Sequence, residues 1–124
     1  SYNSVRMAAE DLKEEYPDIN IITIDSLCAC MGEGLLLYKA LELKERGMSM
    51  KEIVEWVEAN KLHICHNVTV DDLNHLHRGG RISRTTAVVG SMIKINPIIH
   101  MSDEGKLVVI GKERGRKKSL IWRR

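Results

Sequence analysis

Residues 19–24 read INIITI, and no other stretch narrows the fold as much. The run is short, apolar and rich in β-branched side chains, which suit a pleated strand better than a helix. Without polar alternation, it predicts a strand buried on both faces, the habit of parallel sheets. Its flanks agree. Val5, Ala8, Ala9, Leu12 and Tyr16 recur at helical spacing before it, and Pro17 ends that pattern. After it, GLLLYKALELKER predicts an amphipathic helix stopped at Gly47, and SMKE (Ser49 to Glu52) predicts a capping box opening a third helix through Trp56 and Val57. LHICHNVTV then reads as another strand. The order helix, strand, helix, helix, strand predicts an α/β fold in which 19–24 and 62–68 are neighbouring parallel strands.

The texture changes after residue 70. DDLNHLH predicts a short helix ending at Gly79 in a left-handed cap, and Ser83 can cap a further helix through Ile93, with Pro97 closing the turn after it. INPIIHM and KLVVIGKE flank SDEG, where Gly105 predicts a hairpin. A boundary near residues 67–70 divides the chain into 1–68, part of a parallel α/β domain, and 69–124, part of a second α/β domain.

Charge separates the same halves. Residues 1–60 carry 6 Lys/Arg against 12 Asp/Glu, a net −6, and residues 61–124 carry 13 against 5, a net +8. An anionic partner therefore meets the second half, which holds HRGGRISR and GKERGRKKSLIWRR. No apolar run approaches the roughly 20 residues that span a bilayer, and SYNSVRMAAEDLKEEY is no secretory signal. The three cysteines are an odd count, with Cys28 and Cys30 too close for a useful disulfide, which points to a reducing, cytoplasmic setting.

LHRGGRIS (76–83) places a glycine pair and fixed positive charge at the mouth of an apolar, helix-like run, TTAVVGSMI. Exposed backbone N–H groups, a helix start at Ser83 and the guanidinium of Arg81 together suit a carboxylate or phosphate, with Arg78 and Arg84 adding field. A plain turn with solvated arginines fits the same letters. Other chemistries find less support. His63 and Cys65, with His75 and His77, lack zinc spacing. Cys30 sits near a helix start but has no assignable histidine partner, and GEG lacks the phosphate-loop lysine. The basic tail leaves a nucleic-acid-binding or regulatory domain open as an alternative, with Trp122 its only stacking aromatic.

The succession ITIDSLCACMGEGLLLYKALELKERGMSMKEIV, DDLNHLHRGGRIS and IKINPIIHMSDEGKLVVIGKERGRKKSL resembles the DegV family of bacterial fatty-acid-binding proteins over almost the whole chain. Cys30 stands where the family usually has serine, and lysine is usual before the glycines. The resemblance implies a two-domain α/β protein that holds one long-chain fatty acid and presents its carboxylate to a fatty-acid kinase. The protein would then be a binding subunit rather than an enzyme, with no cofactor, no metal and no nucleic-acid partner. It implies that Arg81 and Arg114 stand at the entrance, facing head group or kinase. The ligand-binding set it suggests is Met31, Gly32, Arg81, Ser83, Arg114, Val88 and Met92, the last two in TTAVVGSMI, which suits a tunnel wall and plain helix packing equally. Family members are longer and begin with serine- and threonine-bearing loops for the carboxylate. SYNSVRMAA resembles the end of such a motif, so the chain is expected to be a central piece.

Overall fold

The computed structural model describes residues 2–83 and 95–122. The chain is a mixed α/β protein. Its order is α1 (Tyr2–Glu15), α2 (Met31–Glu45), α3 (Met50–Asn60), β1 (Asn67–Thr69), α4 (Leu73–Arg78), β2 (Ile95–Met101), β3 (Leu107–Arg114) and α5 (Arg116–Leu120).

Local signals fix the helix ends. Pro17 cannot extend α1, and the Tyr16 N–H makes its last helical bond to the Leu12 carbonyl at 2.8 Å. Gly47 ends α2 at φ +85°. Its N–H reaches the Lys44 carbonyl, and the Met48 N–H reaches the Leu43 carbonyl, the paired bonds that close a helix around a left-handed glycine. Ser49 and Glu52 form the capping box: the Ser49 hydroxyl accepts from the Glu52 N–H, and the Glu52 carboxylate accepts from the Ser49 N–H at 2.8 Å. Hydrogen bonds from the Ser49 side chain and backbone hold the Glu52 carboxyl below the usual range. A lowered folded value means the cap's charge-assisted part is present at neutral pH and fades as pH falls through that lowered range. Helices α2 and α3 pack through buried Leu36 and Val57.

The sheet is three-stranded and antiparallel, ordered β1–β2–β3. Central β2 is its buried spine. Ile99 is fully inaccessible and joins Leu73 and Ile82, with Val68, Val70, Leu76, Leu107 and Val109 packed around them. The hairpin tip closes with the Ser102 N–H on the Lys106 carbonyl and Gly105 at φ +70°. Helix α5 lies against β2 and β3.

Three expectations need correction. Residues 19–24 make no ladder among the described residues, and part of 62–68 is helical: Lys61–His63 continue α3 as a single tight turn. Only Asn67–Thr69 are strand, antiparallel to Ile98–His100. A strand needs a neighbour to bond its N–H and C=O groups; none of the described strands pairs with 19–24, while pairing with β2 lets Val68 and Val70 join the cluster around Ile99. Pro97 does not close a turn; it lies buried inside β2. It is tolerated because β1 pairs only with Ile98–His100, so among the described residues β2 has a single neighbour, β3, at Pro97. Finally, Gly80 rather than Gly79 takes the left-handed cap of α4, at φ +73°. The predicted helix from Ser83 to Ile93 lies outside the described residues beyond Ser83.

Candidate functional site

Between residue 24 and α2 the chain makes a tight, strained loop. The Asp25 carboxylate accepts the Leu27 N–H at 3.2 Å, and the Ser26 hydroxyl accepts the Cys28 N–H at 3.3 Å. Leu27 and Cys30 both stand in the left-handed region, at φ +53° and +49°. Neither is glycine, asparagine or aspartate, so the surroundings must hold them there.

This loop forms one wall of a cleft of about 350 Å³. Tyr2 and Val5 from the start of α1 form another, and Ile24, Asp25, Ser26, Cys28 and Glu33 complete it. Polar groups gather beside an apolar wall, the pairing that a ligand with a polar end and an apolar body requires. Burial, then the nearby Glu33 carboxylate, pushes the Cys28 thiol up, so it stays protonated at neutral pH and is a poor nucleophile. Cys30 caps α2 by position only, with no side-chain hydrogen bond.

Two further clefts flank this one. An apolar groove of about 190 Å³ runs along Ile24, Leu36, Leu37, Ala40 and Val57. A more polar cleft of about 180 Å³ lies between Leu27, Cys28, Lys61, Leu62, residues 64–66 and the hairpin residues His100 to Asp103. His66 Nε2 and His100 Nδ1 are buried there without a partner. Among the described residues no group of three or more His, Cys, Asp or Glu is placed to hold a metal ion.

The suggested ligand residues fall in two places. Met31 and Gly32 open α2. Met31 points outward, 82% exposed, while Gly32 is buried under the His66 ring, where a Cβ would lie 2.6 Å from Nδ1. Arg81, Ser83 and Arg114 are exposed in the basic half. The Arg81 N–H bonds the Leu76 carbonyl, and its guanidinium folds back onto the Gly79 carbonyl. Arg114 ends β3 opposite Ile95. Asp71, just before α4, accepts from Arg116 of the basic tail at 2.9 Å and from buried Asn96 of β2 at 2.9 Å. Val88, Met92 and Arg84 lie outside the described residues. None of the five described candidates lines this cleft of about 350 Å³. The residues that do line it were missed, although Ile24, Asp25 and Ser26 stand in ITIDSLCACMGEG, part of the succession that carries the family resemblance.

A family model described as an uncharacterised protein of the DegV family matches residues 1–122. The chain belongs to the DegV family. A DegV domain-containing protein of Clostridium perfringens is 50% identical over 120 residues, covering 97% of this chain and 41% of the relative. One from Streptococcus pyogenes is 42% identical, covering 97% and 42%. The chain thus spans about two fifths of the length of these DegV relatives. Among solved structures, a DegV family protein from Eubacterium eligens loaded with heptadecanoic acid superposes with a TM-score of 0.88 at 29% identity, covering 97% of this chain and 44% of that one. The Streptococcus pneumoniae Fatty Acid Kinase (Fak) B3 protein loaded with linoleic acid gives 0.83 at 31% identity, covering 97% and 43%. No helix among the described residues of this DegV chain is long and apolar enough to cross a membrane.

Proposed function

We propose that the DegV protein represented by this chain binds a long-chain fatty acid and presents its carboxylate to a fatty-acid kinase. It would act as the binding subunit, while the partner transfers the phosphoryl group. The observation that carries this reading is the likeness to family structures loaded with heptadecanoic and linoleic acids, together with a cleft at the IDS loop that combines polar and apolar walls. The division at about residue 68 would separate the half with that cleft from the half with the arginines. Met31, Gly32, Arg81, Ser83, Arg114, Val88 and Met92 remain the proposed ligand or partner contacts, and Tyr2, Asp25 and Ser26 join them.

Magnitudes assign the roles. A sixteen-carbon acid buries about 14 methylenes at roughly 0.8 kcal/mol each, about 11 kcal/mol gross. Arg81 is exposed and already engaged by its own loop, so its contribution to a carboxylate falls on the surface-pair scale, about 0–1 kcal/mol. Apolar enclosure sets affinity; the arginines set orientation and partner access.

The test begins with a full-length family protein carrying these residues, expressed in bacteria, extracted and weighed by mass spectrometry. One fatty acid per protein is expected; an empty protein would end the reading. In that protein Arg81→Ala is expected to change fatty-acid affinity less than about fivefold while sharply lowering turnover by the kinase. A variant that loses lipid yet keeps turnover would reverse the assigned roles.

A further inference from the structure

We propose that Leu27 is a positioning residue through which the β2–β3 hairpin tip sets the shape of the cleft lined by Asp25 and Ser26. That this cleft receives a fatty acid rests on the reading above; the mechanical coupling does not.

Leu27 is the least self-supporting residue of the loop. At φ +53° its Cβ crowds its own backbone, and leucine has no polar atom with which to repay that locally, as asparagine would. Two long hydrogen bonds hold the turn from inside, Asp25 to the Leu27 N–H and Ser26 to the Cys28 N–H. From outside, the hairpin tip presses on it. Gly105 stands so close that a Cβ there would lie 3.2 Å from Leu27 Cδ2 and 3.4 Å from Leu27 Cα. The contact therefore reaches the strained backbone itself, and it exists because residue 105 has no side chain.

Placement gives the contact its consequence. Leu27 lines the cleft facing the hairpin, and Cys28, next in the chain, lines that cleft and the larger one behind it. On the far flank the Cys28 thiol reaches the Lys61 carbonyl at 3.9 Å. If the hairpin withdraws, Leu27 relaxes toward right-handed backbone, and its N–H and that of Cys28 leave Asp25 and Ser26. Those two side chains are then freed in the wall of the larger cleft. A shift in the sheet half is thereby converted into a change of polar groups in the helical half.

Hydrogen exchange on a full-length family protein carrying these residues tests this, with palmitic acid as the probe ligand. Leu27→Ser removes the apolar contact. Gly105→Asn keeps a residue that tolerates positive φ but sets a Cβ against Leu27. Each is expected to speed exchange of the Leu27 and Cys28 amides roughly fivefold or more, to leave the β2 and β3 amides unchanged, and to weaken palmitate binding by a similar factor. Leu27→Met, which keeps the contact, is expected to behave as the parent. Unchanged exchange at 27 and 28, or equal acceleration throughout the sheet, would overturn the proposal, the latter by making Leu27 a general packing residue. Faster exchange with palmitate affinity intact would overturn the claim on the cleft. A parent that binds no palmitate would sink the fatty-acid reading, while exchange still decides the coupling.

Discussion

Replacing Gly32 with alanine is expected to destabilise the fold by about 1–3 kcal/mol, the usual cost of forcing extra atoms into a packed site. Elsewhere in a helix the same change would help, by up to about 1 kcal/mol. Here the new Cβ would lie 2.6, 2.7 and 2.9 Å from His66 Nδ1, Cε1 and Cγ. Overlap with three ring atoms cannot be relieved by turning a chain end; the whole imidazole must move. It is not free to do so, because Nδ1 lies 3.4 Å from the Ile64 carbonyl and Nε2 is buried. Urea unfolding of the parent and Gly32→Ala would measure the cost. Adding His66→Ala to the Gly32→Ala variant should recover part of it, a coupling of about 1 kcal/mol within the range for touching residues. An alanine variant as stable as the parent would show that the ring yields.

That contact also marks the limit of what could be read from the letters. Helix ends were legible because their causes are local: Ser49 and Glu52 are three residues apart, and Gly47 directly follows the turn it closes. The hairpin at Gly105 was legible for the same reason. The choice between Gly79 and Gly80 was not, since it depends on which N–H reaches Leu76, and that bond comes from Arg81. The apolar run 19–24 announced a wish for burial but not a partner, and none of the described strands pairs with it. The role of Gly32 depends on His66, 34 residues away in sequence and invisible until the chain folds.

The site divides similarly. Charge is additive along a sequence, so the basic half stood out, and Asp71 indeed draws Arg116 to the segment that leads into GGRIS. The larger cleft is assembled from the start of α1, the IDS loop and the first turn of α2. No local pattern says that these segments meet. Only the order of the family motifs hinted that IDS was more than the end of a strand.

The isolated chain of 124 residues is expected to bind palmitic acid at least about a hundredfold more weakly than a full-length relative such as the Clostridium perfringens protein, and to associate with itself. A hundredfold is about 2.7 kcal/mol, equivalent to leaving only three or four methylenes in water at roughly 0.8 kcal/mol each. The described residues offer less enclosure than that margin allows. Four of their clefts hold about 350, 190, 180 and 120 Å³, and three of these fall below the roughly 300 Å³ at which ligand pockets begin. Leu36 is buried, yet Leu35, Leu37, Tyr38 and Leu41 are 46, 61, 57 and 49% exposed. Helix α2 also carries Glu33, Lys39, Glu42, Lys44 and Glu45, but its leucines and Tyr38 lie on several faces and leave more apolar surface than the contact with α3 covers, and this chain spans only 41% of that relative. Uncovered, such a surface drives self-association. Fluorescence titration with palmitate and light scattering on the chain alone would measure both effects. A monodisperse monomer binding palmitate as tightly as the full-length relative would place the entire site within these residues and overturn the argument from exposure.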